Sequence, residues 1–338
     1  MALMQVLIPF AGYAICALII FFAGKKLSLY GDIIADLSGW GKAWVGLVLM
    51  ASVTSLPELM VGISSAAIVE SADLAVGDVL GSCAFNLFIL AAMDLFVPDR
   101  KPIFSLASSS HVLSAVLGVI LLTLVGFGLF LPWEFTFSPW IGLSSVLFGI
   151  IYFFSMRLIY LFEQQKSGEG FAVEKVQNQY QVNLAKAIKA YVFYAIIIVV
   201  TALALPYFGE QIAEQTGMTK SVVGTLFLAT STSLPELAVS ISSVRMGAID
   251  LAIGNLLGSN LFNILILAID DVFYTKGLLL KDAAEINLVS VLSTIIMASV
   301  IIIGLNMKTR AKRFILAWDA ALILAIYVLN LILLFRFG

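Results

Sequence analysis

The sequence predicts an all-α polytopic membrane protein, with ten transmembrane helices arranged as two inverted five-helix repeats. Three observations predict it: the composition, the number of apolar runs between polar breaks, and a pair of blocks that occurs twice. Of the 338 residues, 61% are hydrophobic and 12% charged, and the mean hydropathy is +1.06. A soluble domain has roughly 45–50% apolar and about 25% charged residues. An ordinary soluble enzyme, a disordered chain and a collagen-like chain are therefore excluded. With a formal net charge of -2 and no basic patch, the chain has little to meet phosphates. The expected surroundings are a lipid bilayer, with no nucleic acid as partner. Cys16 and Cys83 both lie in apolar runs and read as buried thiols.

A helix needs about 20 apolar residues to cross the hydrocarbon. Ten such runs lie near 4–23, 43–69, 73–97, 105–131, 138–162, 187–209, 219–245, 249–273, 281–304 and 312–336. The first has no basic residue before it and no small-residue cleavage site after it, so it reads as a retained span. The polar stretch 163–186, with Gly168 and Gly170, reads as a cytoplasmic linker. It divides a first five-span repeat, 1–162, from a second, 187–338. Ten spans put both termini and the even connections on one side. That side holds Lys220, Lys276, Lys281 and Arg336, and the rest of the 19 Lys and Arg flank the odd connections. By the positive-inside rule both termini lie outside the cytoplasm, and the expected location is the cell (plasma) membrane.

The two halves share their most polar blocks. Thr54-Ser55-Leu56-Pro57-Glu58-Leu59 recurs letter for letter from Thr232 to Leu237. Asp73 to Asn86 reads D-L-A-V-G-D-V-L-G-S-C-A-F-N, and Asp250 to Asn263 reads D-L-A-I-G-N-L-L-G-S-N-L-F-N. The blocks fall on spans 2 and 7 and on spans 3 and 8. Five spans separate the copies, an odd number, so the second copy is inserted upside down. Secondary transporters use such repeats, with a site at the midplane between them.

Pro57 and Pro235 lie inside their spans, where each frees the carbonyl four residues back, on Val53 and Ser231. In lipid that carbonyl needs another partner, and a cation can be one. Glu58 and Glu236 follow the prolines, with no matched Lys or Arg inside the spans to neutralise them. Such carboxylates are costly unless used. Thr54 and Thr232 lie one turn before them, with Ser55 and Ser233 beside the same face. Asp78, Ser82 and Asn86 are spaced by four and form one stripe; Asn255, Ser259 and Asn263 form its match. Gly77, Gly81, Gly254 and Gly258 allow close backbone approach. The donor set is all oxygen, which suits a hard cation such as calcium rather than zinc, copper or iron. The single histidine, His111, reads as a packing or interface residue. Asp94 and Asp271 read as anchors at span ends, Asp73 and Asp250 as helix caps, and Asp319 has no partner that the sequence names.

The paired T-S-L-P-E-L and G-[DN]-x-L-G-S-x-x-F-N blocks resemble the two alpha-repeats of the calcium/cation antiporter superfamily, and within it those of sodium/calcium exchangers. The resemblance implies that Glu58 and Glu236 coordinate calcium. It implies that Thr54, Ser55, Thr232, Ser233, Ser82 and Ser259 help to hold sodium, and that Asn86 and Asn263 belong to the same site. Some members carry Asp where this chain has Asn86 or Asn263; here Asp78 supplies a third carboxylate instead. The proton-coupled branch usually shows a glutamate shortly after G-N, and Asn255-Leu256-Leu257-Gly258 lacks it. The implied function is secondary active antiport, exchanging sodium for calcium by alternating access. In the family, spans 1 and 6 slide against the others, and Gly12 and Gly24 ease that motion. A calcium/proton or other divalent cation/cation antiporter is the alternative, and a cation channel the alternative of a different class. Calcium and sodium are the expected transported ions, and neither an enzymatic activity nor a resident cofactor is expected. Three carboxylates cannot all stay ionised cheaply in an empty site. Asp78→Asn is therefore expected to weaken calcium affinity and to flatten the pH dependence of transport, both measured in vesicles.

Overall fold

Backbone N–H and C=O groups inside a bilayer must be paired within the protein, and a helix does this segment by segment. The computed structural model is accordingly helical, apart from a short hairpin of Thr136–Ser138 with Ile141–Gly142. It describes residues 2–97, 101–131, 136–168, 182–204, 207–208, 211–212, 215, 229–308, 312 and 314–337. The helices are α1 (Ala2–Ser38), α2 (Lys42–Thr54), α3 (Leu56–Ala67), α4 (Ala72–Ala92), α5 (Ser110–Phe130) and α6 (Leu143–Gly168). They continue as α7 (Leu184–Ala202), α8 (Ala229–Thr232), α9 (Leu234–Arg245), α10 (Ile249–Phe273), α11 (Asn287–Met307) and α12 (Trp318–Phe337). Among the described residues, 8 helices are long and apolar enough to span a membrane, and α2 with α3 make a ninth span bent by 43°. The first half of the expected span 219–245 lies outside the described residues, as does most of the expected linker 163–186.

Several expected boundaries move, each for a physical reason. α1 runs 37 residues rather than stopping near residue 23, so Lys25 and Lys26 are helical and exposed. Past them Leu27, Ile33 and Ile34 recur at helical spacing and pack with α2 and α7, which carries the helix onward. At 1.5 Å per residue α1 is about 55 Å long, well over the ~30 Å hydrocarbon. Gly39, at φ 73°, then turns the chain, and Lys42 pairs with Asp32 at 2.7 Å across the turn. The expected unbroken span 43–69 is interrupted at Ser55, after a π-helical turn at Val45–Met50. α6 extends to Gly168, under two turns into the expected linker, and α7 begins at Leu184, less than a turn inside its end.

α4 and α10 cross at the centre and touch most of the other helices, whereas α1, α7 and α12 present much of their apolar surface outward. Glycines set the closest approaches. A Cβ on Gly254 would meet the Ala43 carbonyl at 2.6 Å, and one on Gly258 would lie 2.7 Å from the Leu47 Cα, so α10 presses on the α2 backbone. Among the described residues a Cβ on Gly77 would meet only Asn287 at 3.7 Å; most of the segment of span 7 that corresponds to α2 lies outside the described residues.

Four aspartates fasten the halves to one another in matched pairs. Asp94 accepts the Ile103 amide at 2.8 Å from its own half and the Ala317 amide at 2.9 Å from the other. Asp271 accepts the Leu279 amide at 2.9 Å from its own half, and the Gly142 amide at 2.9 Å and Ser145 hydroxyl at 2.6 Å from the other. Both are the anchors expected of them, and Asp94 adds a buried ion pair with Lys312 at 3.1 Å. Asp73 and Asp250 do not cap their own helices. Ser71 accepts the Leu74 amide at the start of α4, and Ala248 precedes α10. Asp73 instead holds the Ala284 amide at 2.5 Å, and Asp250 the Ser108 amide at 2.6 Å and His111 Nε2 at 3.0 Å. Each therefore ties its helix end to a segment of the other half. His111 is buried and structural, and both cysteines are buried free thiols. Asp319 is buried too; it lies in the first turn of α12 and accepts the Ala320 amide at 2.8 Å.

Removing the Asp271 carboxylate leaves up to three buried donors without an acceptor, at about 1–3 kcal/mol each. Asp271→Ala is expected to lower the unfolding temperature in detergent sharply. Asp271→Asn, which keeps one acceptor, should lower it less.

Candidate cation site

The two T-S-L-P-E-L segments fold alike. Ser55 ends α2 at φ -89°, ψ 7°, and Ser233 ends α8 at φ -86°, ψ 7°. Pro57 and Pro235 then fall in the first turn of α3 and α9, where an amide has no intrahelical acceptor and its loss is harmless. Glu58 and Glu236 stand in the same first turns, where the helix dipole favours a negative charge.

The breaks meet. Ser55 Oγ donates to Glu236 Oε1 at 3.1 Å, and Ser233 Oγ donates to Glu58 Oε1 at 3.0 Å. Each break serine thus holds the carboxylate of the other half. The second blocks complete the arrangement: Ser259 Oγ donates to Glu236 Oε1 at 3.3 Å, and Ser82 Oγ lies 3.4 Å from Ser233 Oγ. Both glutamates are essentially unexposed. Each keeps its second oxygen, Oε2, without a hydrogen-bond partner among the described residues.

Every residue the sequence put forward is buried: Thr54, Ser55, Glu58, Asp78, Ser82, Asn86, Thr232, Ser233, Glu236, Ser259 and Asn263. Several also bond elsewhere, and Thr54, within reach of Glu236, is one of them. Thr54 Oγ1 donates to the Met50 carbonyl at 3.1 Å and lies 3.3 Å from Asn255 Oδ1. Asn86 Nδ2 donates to Asn260 Oδ1 at 3.1 Å, and Asn260 Nδ2 donates to the Cys83 carbonyl at 3.2 Å, which joins α4 to α10 across the centre. Asn86 Oδ1, Asn263 Oδ1 and both oxygens of Asp78 join the two Oε2 atoms as buried oxygens with no partner among the described residues. Glu58 lies within electrostatic reach of both Glu236 and Asp78, and among the described residues no lysine or arginine pairs with any of the three. Among the described residues, no three carboxylate, imidazole or thiol groups close on a single point. Any ion between the glutamates is therefore completed by hydroxyl and amide oxygens. A buried carboxylate without a counter-charge costs several kcal/mol, and a hard cation with oxygen ligands removes that cost.

Sequence reasoning missed Asp270. It is fully buried, both its oxygens lack a hydrogen-bond partner among the described residues, and it lies within reach of Asp78. The signal was present as the doublet Asp270-Asp271, whose counterpart in the first half is Met93-Asp94.

Fold and site together define a helical integral membrane protein with a buried, oxygen-lined acidic centre fed by matched helix breaks. The sequence profile of the sodium/calcium exchanger protein family matches twice, over residues 8–160 and 186–336. The chain belongs to that family. The sodium/calcium exchanger MaX1 of Methanosarcina acetivorans is 29% identical over 334 residues, covering 89% of this chain and 91% of its own. The inner membrane protein YrbG of Escherichia coli is 26% identical over 255 residues, 74% of each chain. A solved structure of the sodium-calcium exchanger NCX_Mj superimposes with a TM-score of 0.73 over 96% of this chain and 98% of that one, at 20% identity. At that identity the likeness speaks for the fold.

The crossed serine–glutamate pairs make a quantitative prediction. Double-mutant cycles on unfolding in detergent should give a coupling of about 0.5–3 kcal/mol for Ser55→Ala with Glu236→Gln and for Ser233→Ala with Glu58→Gln. Ser55→Ala with Glu58→Gln, neighbours in sequence but not bonded, should couple far less.

Proposed function

We propose that the protein is a secondary active antiporter that exchanges sodium for calcium by alternating access at one site between Glu58 and Glu236. The observation that carries this reading is the crossed pair of serine–glutamate bonds, which leaves one oxygen of each carboxylate unpartnered in the protein interior. Two carboxylates suit a divalent cation. Several sodium ions on the same carboxylates and on Thr54, Ser55, Ser82, Thr232, Ser233 and Ser259 would balance the same charge. One site that either ion can fill, but not both, couples their fluxes. Membership of the sodium/calcium exchanger family and the likeness to MaX1 support sodium as the coupling ion over protons. A channel has no need of a buried site that must be neutralised before the protein can change shape.

The reading includes ten spans in two inverted repeats, 1–162 and 187–338, joined by a cytoplasmic linker at 163–186. Both termini lie outside the cytoplasm, in the cell membrane. The matched contacts of Asp73, Asp94, Asp250 and Asp271 support the pseudo-two-fold relation. α1 and α7 pack on each other, and α1 reaches the site helices along α9, through Gly24 and through Ser28 bonded to the Val239 carbonyl at 2.7 Å. Movement of this pair along α9 is the motion that opens the site to alternate sides. Gly12 also lies in a close contact, since a Cβ on it would meet the Phe208 ring at 2.6 Å.

The test is calcium flux in proteoliposomes under imposed sodium, potassium or proton gradients. A sodium gradient is expected to drive calcium movement, and Glu58→Gln and Glu236→Gln are each expected to abolish it in folded protein. Near-normal exchange by either variant overturns the central site. Transport driven by protons alone moves the assignment to calcium/proton antiport.

A further inference from the structure

The pseudo-symmetry of the two halves fails in charge at one helix contact. In the second half, Asn255 on α10 donates through Nδ2 to Ser240 Oγ on α9 at 3.1 Å. Sequence correspondence puts Met93 beside them, in the place that Asp270 holds in the other half. This triad is neutral, and its amide nitrogen is bonded. The matching positions in the first half are Asp78 for Asn255, Gly62 for Ser240, and Asp270 for Met93. Here two carboxylates replace an amide and a thioether, and the hydroxyl that could have bonded one of them is gone.

The missing side chain makes room. A Cβ on Gly62 would lie 2.7 Å from Asp270 Oδ1 and 2.8 Å from its carboxyl carbon, so the carboxylate is aimed at the bare backbone of α3. Asp78 is 3% exposed and Asp270 0%, and all four of their carboxylate oxygens lack a hydrogen-bond partner among the described residues. Asp78 lies within electrostatic reach of Asp270 on one side and of Glu58 on the other. Asp271, next in sequence, is spent on the amides of Gly142 and Leu279, so it offers Asp270 no neutralisation. Buried carboxylates thus follow one another from Glu236 and Glu58 through Asp78 to Asp270, each within electrostatic reach of the next, and the last lies near one helix end.

That face can be identified. Asp78 is about 9 Å along α4 from its first residue, and Asp270 is about 4.5 Å from the end of α10. Both helix ends lie under the connections that carry Glu70 and Lys276, which are joined by an ion pair at 2.6 Å. In the ten-span reading this is the non-cytoplasmic side.

We infer that Asp78, Asp270 and the bare backbone at Gly62 form a second cation site, distinct from the Glu58–Glu236 centre, that takes a hard divalent cation of the calcium class on the non-cytoplasmic side. Two carboxylates in a low-dielectric interior carry two charges, and one divalent ion neutralises both, whereas a monovalent ion leaves one. The site depends on the proposed function only for the face to which it is assigned; binding itself can be measured without transport. Its counterpart on the opposite side is the bonded Asn255–Ser240 pair, so the two approaches to the centre differ in charge.

The test is equilibrium binding of radioactive calcium to the purified full chain in sodium-free buffer, with each variant first checked for an unchanged elution profile. The wild type is expected to bind two calcium ions per chain. Asp270→Asn, which removes the charge, and Gly62→Ser, which fills the cradle, are each expected to bind one. Glu236→Gln is expected to keep the ion that depends on Asp270. Unchanged calcium stoichiometry and affinity in both Asp270→Asn and Gly62→Ser overturn the second site while leaving the central one intact. Two ions still bound by Glu236→Gln, with one lost in Asp270→Asn, would instead sink the central assignment and keep the second site. Loss of both ions in Asp270→Asn with none lost in Gly62→Ser also overturns the proposal, because the aspartate would then act through the centre rather than hold an ion of its own.

Discussion

A carboxylate buried in a membrane protein needs a partner, and here that partner comes from the opposite half. Ser55 holds Glu236 and Ser233 holds Glu58. Much of the local architecture serves this exchange. The helices break at the serines, so each hydroxyl is free to reach the other half rather than its own backbone. Proline falls where an amide is not needed, and glutamate where the helix dipole favours its charge. The order Ser-Leu-Pro-Glu is therefore a compact instruction for a helix restart with a stabilised carboxylate. Either break alone would leave its glutamate uncompensated, so the site exists only when the halves are packed together.

The same residue type serves two purposes, separated by what it finds nearby. Asp73, Asp94, Asp250 and Asp271 sit near helix ends, where connecting segments present free amides, and they become ties between segments. Such ties hold the turns around the central helices at fixed positions. Glu58 and Glu236 keep one oxygen each, and Asp78 and Asp270 both of theirs, without a hydrogen-bond partner among the described residues. Their oxygens remain open to an ion. A rigid frame at the ends and an unsatisfied interior are complementary: the frame keeps the open carboxylates from relieving their own repulsion by moving apart.

Much of this was legible in the sequence. The apolar runs gave nearly every described span, because length and hydropathy respond to one strong constraint, the thickness of the hydrocarbon. The duplicated blocks gave the glutamates and their serines, because polar residues inside apolar runs stand out. What the letters did not carry was distance across the fold. That Ser55 serves Glu236 rather than Glu58, three residues away, is a property of how the helices cross. Asp73 and Asp250 read as caps because capping is the local option, and the amides of Ala284 and Ser108 that they hold are remote in sequence. The length of α1 was hidden by Lys25 and Lys26, which mark where lipid ends but do not end a helix whose next turns still have a surface to pack on. Asp270 was obscured by its neighbour, since one of two adjacent aspartates at a helix end satisfies the expectation of an anchor.

Duplication alone would give a protein that reads the same from both sides of the membrane. An exchanger built that way would face two solutions with identical approaches, although ions on the two sides of a membrane differ greatly in concentration. Three of the positions at which the chain departs from its own symmetry meet at one helix contact. Gly62 against Ser240 removes a hydroxyl, Asp78 against Asn255 adds a charge, and Asp270 against Met93 adds another. The first set thus gains two carboxylates without a hydrogen-bond partner among the described residues, while the second keeps a neutral, bonded pair. The central glutamates and their serines, by contrast, are conserved between the halves letter for letter. Selection on ion coupling constrains the centre, where both halves must supply equal ligands. The approaches are free to diverge, and their divergence is where the two faces of the membrane become different to the ion.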